Sequence, residues 1–291
     1  MLPIIRYLKF LNRLRLGYQP IFLEYKVDFR PRWTDGEGNP YLARIISAHR
    51  RQCLENLGHL AGMLPVVESI QRGEGSVEGI DWKNHFIPAF DALSLMWAAT
   101  RAKTTFMEVG SGNSTLFAKA ALEHFECSVK IISIDPQPRV GIDRFCDEVI
   151  RRPLEDVDLS LFDRLQPGDT LFVDNSHRSF MNSDVTAFML DVLPRLKPGV
   201  LVGIHDVFLP FDYFSHWSNR AYNEQYLLGC YLVANPQYFE IQLANYWIWK
   251  NSLHIDALQD IWAVLGADIR DRPSSAFWAI KNAPVNHEAA H

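Results

Sequence analysis

One stretch constrains this chain more than any other: Thr104-Thr-Phe-Met-Glu-Val-Gly-Ser-Gly-Asn-Ser-Thr115. A short β-prone run ends at Glu108 and Val109, turns through Gly110, Ser111 and Gly112, and opens an apolar helix from Asn113, Ser114 and Thr115, so the spacing predicts strand, turn, helix. The glycines let the backbone turn with positive φ and leave no Cβ between chain and ligand, while the first N–H groups of the helix face the same point. Glu108 sets the sign of what can sit there. A pyrophosphate would be repelled by that carboxylate, whereas a ligand carrying an ammonium group would be drawn to it. Gly-x-Gly alone is a weak signal, and Ser114 and Thr115 stand where a third glycine would be sought.

The chain downstream keeps the rhythm of that stretch. Apolar runs at 129–135, 148–152, 170–174 and 199–206 alternate with helical patterns at 114–124, 140–147 and 179–196, and Lys197-Pro198-Gly199 stops a helix and turns the chain into a strand. After a helix over 219–233, a sixth strand is expected over 238–243 and a seventh over 276–281, with a short helical excursion near 254–265 between them. The fold class is therefore α/β: a doubly wound, mostly parallel seven-stranded sheet with helices on both faces. Asp135 closes the second strand about 20 residues past the glycine turn, the place of a carboxylate that takes a ribose diol, although an acid there can also cap the next turn. Residues 153–156 fall where an adenine ring would be flanked.

Ahead of the sheet, residues 1–103 read as a mainly helical extension, with helical periodicity over 41–71, a Gly-punctuated loop at 72–79 and an aromatic segment, 80–97, leading into the first strand. The sheet domain spans 104–282, and 283–291 is a flexible tail. Residues 2–16 place Arg6, Lys9, Arg13 and Arg15 along an amphipathic helix, which more often packs on its own fold or a second copy than lies on a membrane surface. No transmembrane segment or signal peptide is expected. The net charge of −5 lacks the basic excess of a nucleic-acid binder. Cys53, Cys127, Cys146 and Cys230 are scattered without zinc or disulfide spacing, and read as reduced thiols of a cytoplasmic protein.

Over residues 104–281 the pattern resembles the class I S-adenosylmethionine-dependent methyltransferases, through Glu108-Val-Gly-Ser-Gly112, Asp135, Leu171-Phe-Val-Asp174 and Leu193-Pro-Arg-Leu-Lys-Pro-Gly199. The resemblance implies an enzyme that binds S-adenosyl-L-methionine. Glu108 and the turn Gly110, Ser111, Gly112, Asn113 and Ser114 would hold its methionine end, Asp135 its ribose, and the last strand would run antiparallel. Phe172-Val-Asp174 followed by Gly203-Ile-His-Asp206 is similar to the small-molecule O-methyltransferases related to catechol O-methyltransferase, in which strand-end carboxylates hold a divalent cation. Asp174, which also belongs to the cofactor cleft, and Asp206 are the candidate ligands here. His205 departs from that pattern where an Asp is expected, and Asp206 where an Asn is expected, which puts the metal in doubt.

Parallel sheets place chemistry outside the carboxyl ends of their strands, where Asp174, His177, His205 and Asp206 fall. His177, His205 and Asp206 are the candidate catalytic residues, a histidine being suited to remove the acceptor's proton, against the alternatives of a helix cap and a structural histidine. Two aromatic segments, 80–90 and 207–218, are expected to cover a small-molecule acceptor, methylated at a hydroxyl oxygen. A catalytically silent cofactor-binding module and a nicotinamide-dependent oxidoreductase are the alternatives, the latter disfavoured by Glu108.

Overall fold

β1 (Thr105–Val109) lies inside a seven-stranded sheet of order β3-β2-β1-β4-β5-β7-β6, with β2 (Lys130–Ile134) on one side and β4 (Thr170–Val173) on the other. Every residue of β1 and β4 is buried, as parallel strands covered on both faces require. β3 (Glu148–Ile150) and β5 (Leu201–Ile204) extend the parallel part outward, while β7 (Phe277–Lys281) inserts antiparallel between β5 and β6 (Phe239–Ala244). The strand order therefore reverses direction at β1 and β4, and a crevice opens at their carboxyl ends.

This computed structural model describes Leu8, Leu11, Asn12, Leu14 and Arg15, then residues 24–138 and 141–283. The chain divides into two compact units, Met1–Arg30 and Pro31–His291. In the first, the five described residues before Leu16 are helical, Leu8, Leu11 and Leu14 are exposed, and residues 26–30 have no regular structure. Most of the basic helix expected over 2–16, and the tail beyond residue 283, lie outside the described residues.

The second unit opens with α1 (Pro40–Ala48), α2 (Arg50–Leu60) and α3 (Leu64–Arg72), then α4 (Ala89–Arg101), which is buried around its whole circumference from Ala89 to Ala99. A helix that apolar must lie inside, and α4 packs against β4 and α5 (Asn113–His124). Its one carboxylate, Asp91, accepts hydrogen bonds from Ser275 N, Ala276 N and Asn245 Nδ2. Gly203 on β5 faces Trp278 on β7, where an added Cβ would stand 2.2 Å from the indole, so only glycine lets the ring stack on Phe172 at 5.3 Å.

Element boundaries depart from the sequence pattern at several points. The helix expected over 140–147 is a single 3₁₀ turn, Asp143–Phe145. The helix expected from residue 179 begins instead at α6 (Asp184–Ala187), because Ser183 caps it by accepting from Thr186 N. α6 runs on through a π-helical Phe188–Val192 into Leu193–Arg195, and the widening falls just before Pro194, which has no N–H to donate. α7 (Glu224–Ala234) starts five residues later than the pattern implies, after a 3₁₀ stretch, Ser215–Arg220. α8 (Asn245–Lys250), α9 (Leu253–Ala257), α10 (Gln259–Leu265) and α11 (Ala267–Arg270) fill the passage to β7.

The aromatic segments are more buried than a lid would be. Trp82 packs on Phe117 with ring centroids 4.9 Å apart, and Phe208, Phe211 and Tyr213 form an edge-to-face cluster with Tyr246 inside the fold. Rings meeting edge to face satisfy one another, so this part of 207–218 is core. Phe86 remains 52% exposed and faces the crevice, and Phe214 and Trp217 are half-buried. Among the described residues no helix is long and apolar enough to cross a membrane. All four cysteines are free thiols.

Candidate active site

The crevice is a cleft of about 480 Å³ lined by the turn from Val109 to Ser114, by Asp135 to Gln137, by Pro153 to Glu155 and by Asp174 to Ser176. Each group comes from the carboxyl end of a different parallel strand, so four loops distant in sequence meet at one place. Gly110 has φ of +79°, and a Cβ on it would stand 1.9 Å from the carbonyl oxygen of Asp174, so the β1 turn and the β4 end touch backbone to backbone.

Glu108 lies at the floor of this arrangement with no exposed surface. Its Oε2 accepts from Thr115 Oγ1, which itself accepts from Gly112 N, while Oε1 is buried without a hydrogen-bond partner. Burial pushes the carboxyl up to about 8, against the opposing pull of the nearby Ser114 hydroxyl and of the hydrogen bond from Thr115. An unpaired buried carboxylate oxygen is costly unless a donor or cation meets it. Asp135 spends one oxygen on Ser111 N at 2.8 Å and the other on Gln137 N at 2.7 Å while lining the cleft. The turn-capping role is thus present; Oδ2 also accepts from Ser111 Oγ, and Oδ1 keeps a second lone pair for a ligand hydroxyl.

Beyond the cleft, Asp174, His177, His205 and Asp206 converge. His177 Nε2 lies 3.3 Å from Asp174 Oδ1 and 3.4 Å from Asp206 Oδ2, and His205 Nδ1 lies 3.3 Å from Asp174 Oδ1. The far nitrogen of each ring is held by a buried acid. His177 Nδ1 is 3.0 Å from Glu224 Oε2, and His205 Nε2 is 3.3 Å from Asp91 Oδ2. Two acid–histidine pairs therefore point at the same two carboxylates. His177 and Asp206 both have positive φ, +59° and +54°, an uncommon backbone for side-chain-bearing residues that costs on the order of 1–3 kcal/mol and that tends to mark functional positions.

Burial pushes both imidazoles toward the neutral form, but neighbouring carboxylates outweigh it: Asp174, Glu224 and Asp206 hold His177 well above the usual histidine range, and Asp174, Asp206 and Asp91 do the same for His205. Burial likewise pushes Asp174 up, but His205 and His177 more than reverse this and keep it ionised far below its ordinary range. Glu224 is raised by burial, opposed by its bond to His177. Among the described residues no group of three or more His, Cys, Asp or Glu side chains is set out to hold a metal ion. Asp174 and Asp206, the two expected cation ligands, both lie against His177.

Glu224 and Asp91 were not among the residues singled out by sequence. Asp91 had one signal, a lone acid inside a fully apolar helical run; Glu224 looks like any acid in a first helical turn. Every expected cofactor-cleft residue from Gly110 to Ser114, with Asp135 and Asp174, does line the cleft, while Glu108 sits beneath it and His177, His205 and Asp206 stand behind Asp174.

The strand order and the cleft at its switch point make this a Rossmann-like α/β fold, and residues 107–207 match a family model described as a methyltransferase domain. Among solved structures the chain is similar to the plantazolicin methyltransferase BpumL, bound to a desmethyl analogue and SAH, at 12% identity over 82% of this chain and 99% of that one, with a TM-score of 0.42. It is also similar to the MycE methyltransferase of the mycinamycin biosynthetic pathway, bound to Mg, SAH and mycinamycin VI, at 17% identity over 65% of this chain, with a TM-score of 0.34, and to cofactor-bound Rv0187 from MTB at 12% identity over 77% of this chain and 90% of that one, with a TM-score of 0.39. The chain spans about half the length of MycE, covering 47% of it. No curated protein matches the sequence.

Proposed function

We propose that this protein is an S-adenosylmethionine-dependent methyltransferase that methylates a small-molecule acceptor at a hydroxyl oxygen. The observation that carries the reading is Glu108: a fully buried carboxylate with one unpartnered oxygen under a glycine turn suits a cofactor bearing an ammonium group and disfavours a pyrophosphate. S-Adenosylmethionine, when bound, supplies an electrophilic methyl group on a sulfonium. In this reading Glu108 and the turn from Gly110 to Ser114 hold the methionine end, Asp135 the ribose hydroxyls, and Pro153 to Glu155 the adenine side of the cleft.

Methyl transfer asks the protein to align the acceptor and to remove its proton. His177 is the residue we assign to the proton, because Nδ1 is occupied by Glu224 and Nε2 is directed toward Asp174, the member of the cluster that reaches the cleft. The acceptor's proton passes by way of Asp174, which lines the cleft, onto Nε2, and stays between Asp174 and Asp206, whose charges stabilise the imidazolium. His205, held between Asp91 and Asp174, and Asp206 set the charge balance around that ring. A divalent cation, were one bound, would be held by Asp174 and Asp206 and would orient the acceptor hydroxyl and lower its pKa. The test is release of S-adenosylhomocysteine from S-adenosylmethionine with a panel of phenols, catechols and glycosides. Turnover that depends on acceptor and is lost in His177→Asn is expected; acceptor-independent background alone would leave a silent cofactor-binding module as the better account.

A further inference from the structure

We propose that Glu224 is a positioning residue for methyl transfer: it fixes the His177 ring so that Nε2, and not Nδ1, faces Asp174, the carboxylate that lines the cleft. The inference rests on the methyltransferase reading above. Glu224 is the first residue of α7, has no exposed surface, and arrives from 47 positions along the chain. Both its oxygens are committed to the end of β4, Oε2 to His177 Nδ1 at 3.0 Å and Oε1 to Asn175 Nδ2 at 2.9 Å. The same helix start grips the backbone: Asn223 N donates to His177 O at 2.9 Å, and Asn223 Oδ1 accepts from Ser179 N at 2.7 Å. Asn175 completes the brace, its Oδ1 accepting from His177 N at 2.8 Å.

A filler at this place would be apolar, since a buried carboxylate is costly unless it is paired and hydrogen-bonded. What the carboxylate provides is direction. With Nδ1–H donated to Glu224, the ring cannot exchange its two nitrogens by rotation, and Nε2 stays 3.3 Å from Asp174 and 3.4 Å from Asp206. Neither Glu224 nor His177 lines the cleft, so the effect of Glu224 runs through His177 to Asp174, which does.

The experiment compares wild type with Glu224→Ala, Glu224→Gln and Glu224→Asp. Affinity for S-adenosylhomocysteine is read by calorimetry, kcat and KM on whichever member of the phenol, catechol and glycoside panel the wild type methylates fastest, and the slowly exchanging His177 Nδ1 proton by NMR, assigned through His177→Asn. A fall in kcat of about 10²-fold is expected in Glu224→Ala, the low end of what a general base contributes, with cofactor affinity and acceptor KM within about threefold of wild type and Glu224→Asp intermediate. Unchanged kcat in a folded variant overturns the proposal, as does a loss of kcat matched in all three variants by loss of cofactor binding, which marks a merely structural acid. Should Glu224→Ala not fold, Glu224→Gln is judged by the same pattern. If the wild type binds S-adenosylhomocysteine but turns over no panel member, the NMR signal decides: loss of the protected Nδ1 proton with cofactor affinity intact supports the proposal, and its persistence overturns it. A wild type that binds no S-adenosylhomocysteine removes the methyltransferase reading itself and this proposal with it, an outcome distinct from variants that behave like wild type.

Discussion

The carbonyl oxygen of Asp174 occupies the space that a side chain on Gly110 would need: a Cβ there would stand 1.9 Å away. The loop expected to hold the cofactor and the strand end that carries the proposed catalytic cluster are therefore in van der Waals contact, and displacing either displaces both. Gly110→Ala combines this clash with a left-handed φ of +79°. The backbone strain alone should cost about 1–2 kcal/mol, and the clash adds to it. The expected result is a lowered melting temperature together with loss of S-adenosylhomocysteine binding. A variant that melts and binds like wild type would show that the turn does not sit against Asp174.

Glu108 should give the cofactor-free protein a distinctive pH dependence. Its carboxyl is raised from 4.5 unfolded to about 8 folded, chiefly by burial. The folded state then binds more protons than the unfolded state across that window, so its contribution to stability is fully present below pH 4.5 and is lost as the pH rises toward 8, at no more than about 1.4 kcal/mol per pH unit. Glu108→Gln should flatten this part of the profile, and a bound ammonium group should flatten it in the wild type. Denaturant melts at several pH values between 5 and 8, both in roughly physiological salt, read the difference between the two proteins. Superimposable profiles would mean that Glu108 is not buried as a lone acid.

Asp135 has two jobs to lose. Asp135→Ala removes the cap on Ser111 N and Gln137 N, at roughly 1 kcal/mol of stability, and the proposed charge-assisted bonds to the ribose hydroxyls, at about 1.5–3 kcal/mol of binding. Cofactor affinity should fall about 10- to 100-fold in calorimetry while the protein stays folded. A stability loss with unchanged affinity would assign Asp135 to the turn alone.

His177 is raised well above the ordinary histidine range by its carboxylate neighbours despite burial. As the proposed proton acceptor it would work in the neutral form, so kcat/KM should climb with pH on the acid side of that raised value and level off above it. Stability runs the other way. The contribution of the protonated ring is complete below the unfolded value and is lost as the pH rises through the folded one. His177→Asn should lower turnover by about 10²- to 10⁴-fold and remove this alkaline loss of stability. A variant with full turnover would move the proton to another group.

Much of this was legible in the sequence because it is written locally. Strands covered on both faces leave unbroken apolar runs, and Glu108, Asp135, Asp174 and Asp206 stand at or beside their ends, so pattern and candidate site came together. The partners of the histidines were not legible. Asp91 and Glu224 reach the cluster from helices remote in sequence, and nothing within a few residues of Glu224 separates it from an acid that favours a helix N-terminus. The aromatic run after β5 misled for a related reason: rings that look destined for a ligand wall instead bury one another, as Phe208 does against Tyr213 and Tyr246.

The central claim is that the cleft above Glu108 takes a cofactor bearing an ammonium group on a sulfonium-linked amino acid. Thermal melting of the wild type in S-adenosylmethionine, S-adenosylhomocysteine and NAD tests it most directly. Either sulfur compound at about 100 times its dissociation constant should stabilise the protein by about 2.7 kcal/mol, with no shift from NAD. A shift with NAD and none with the sulfur compounds would contradict the account.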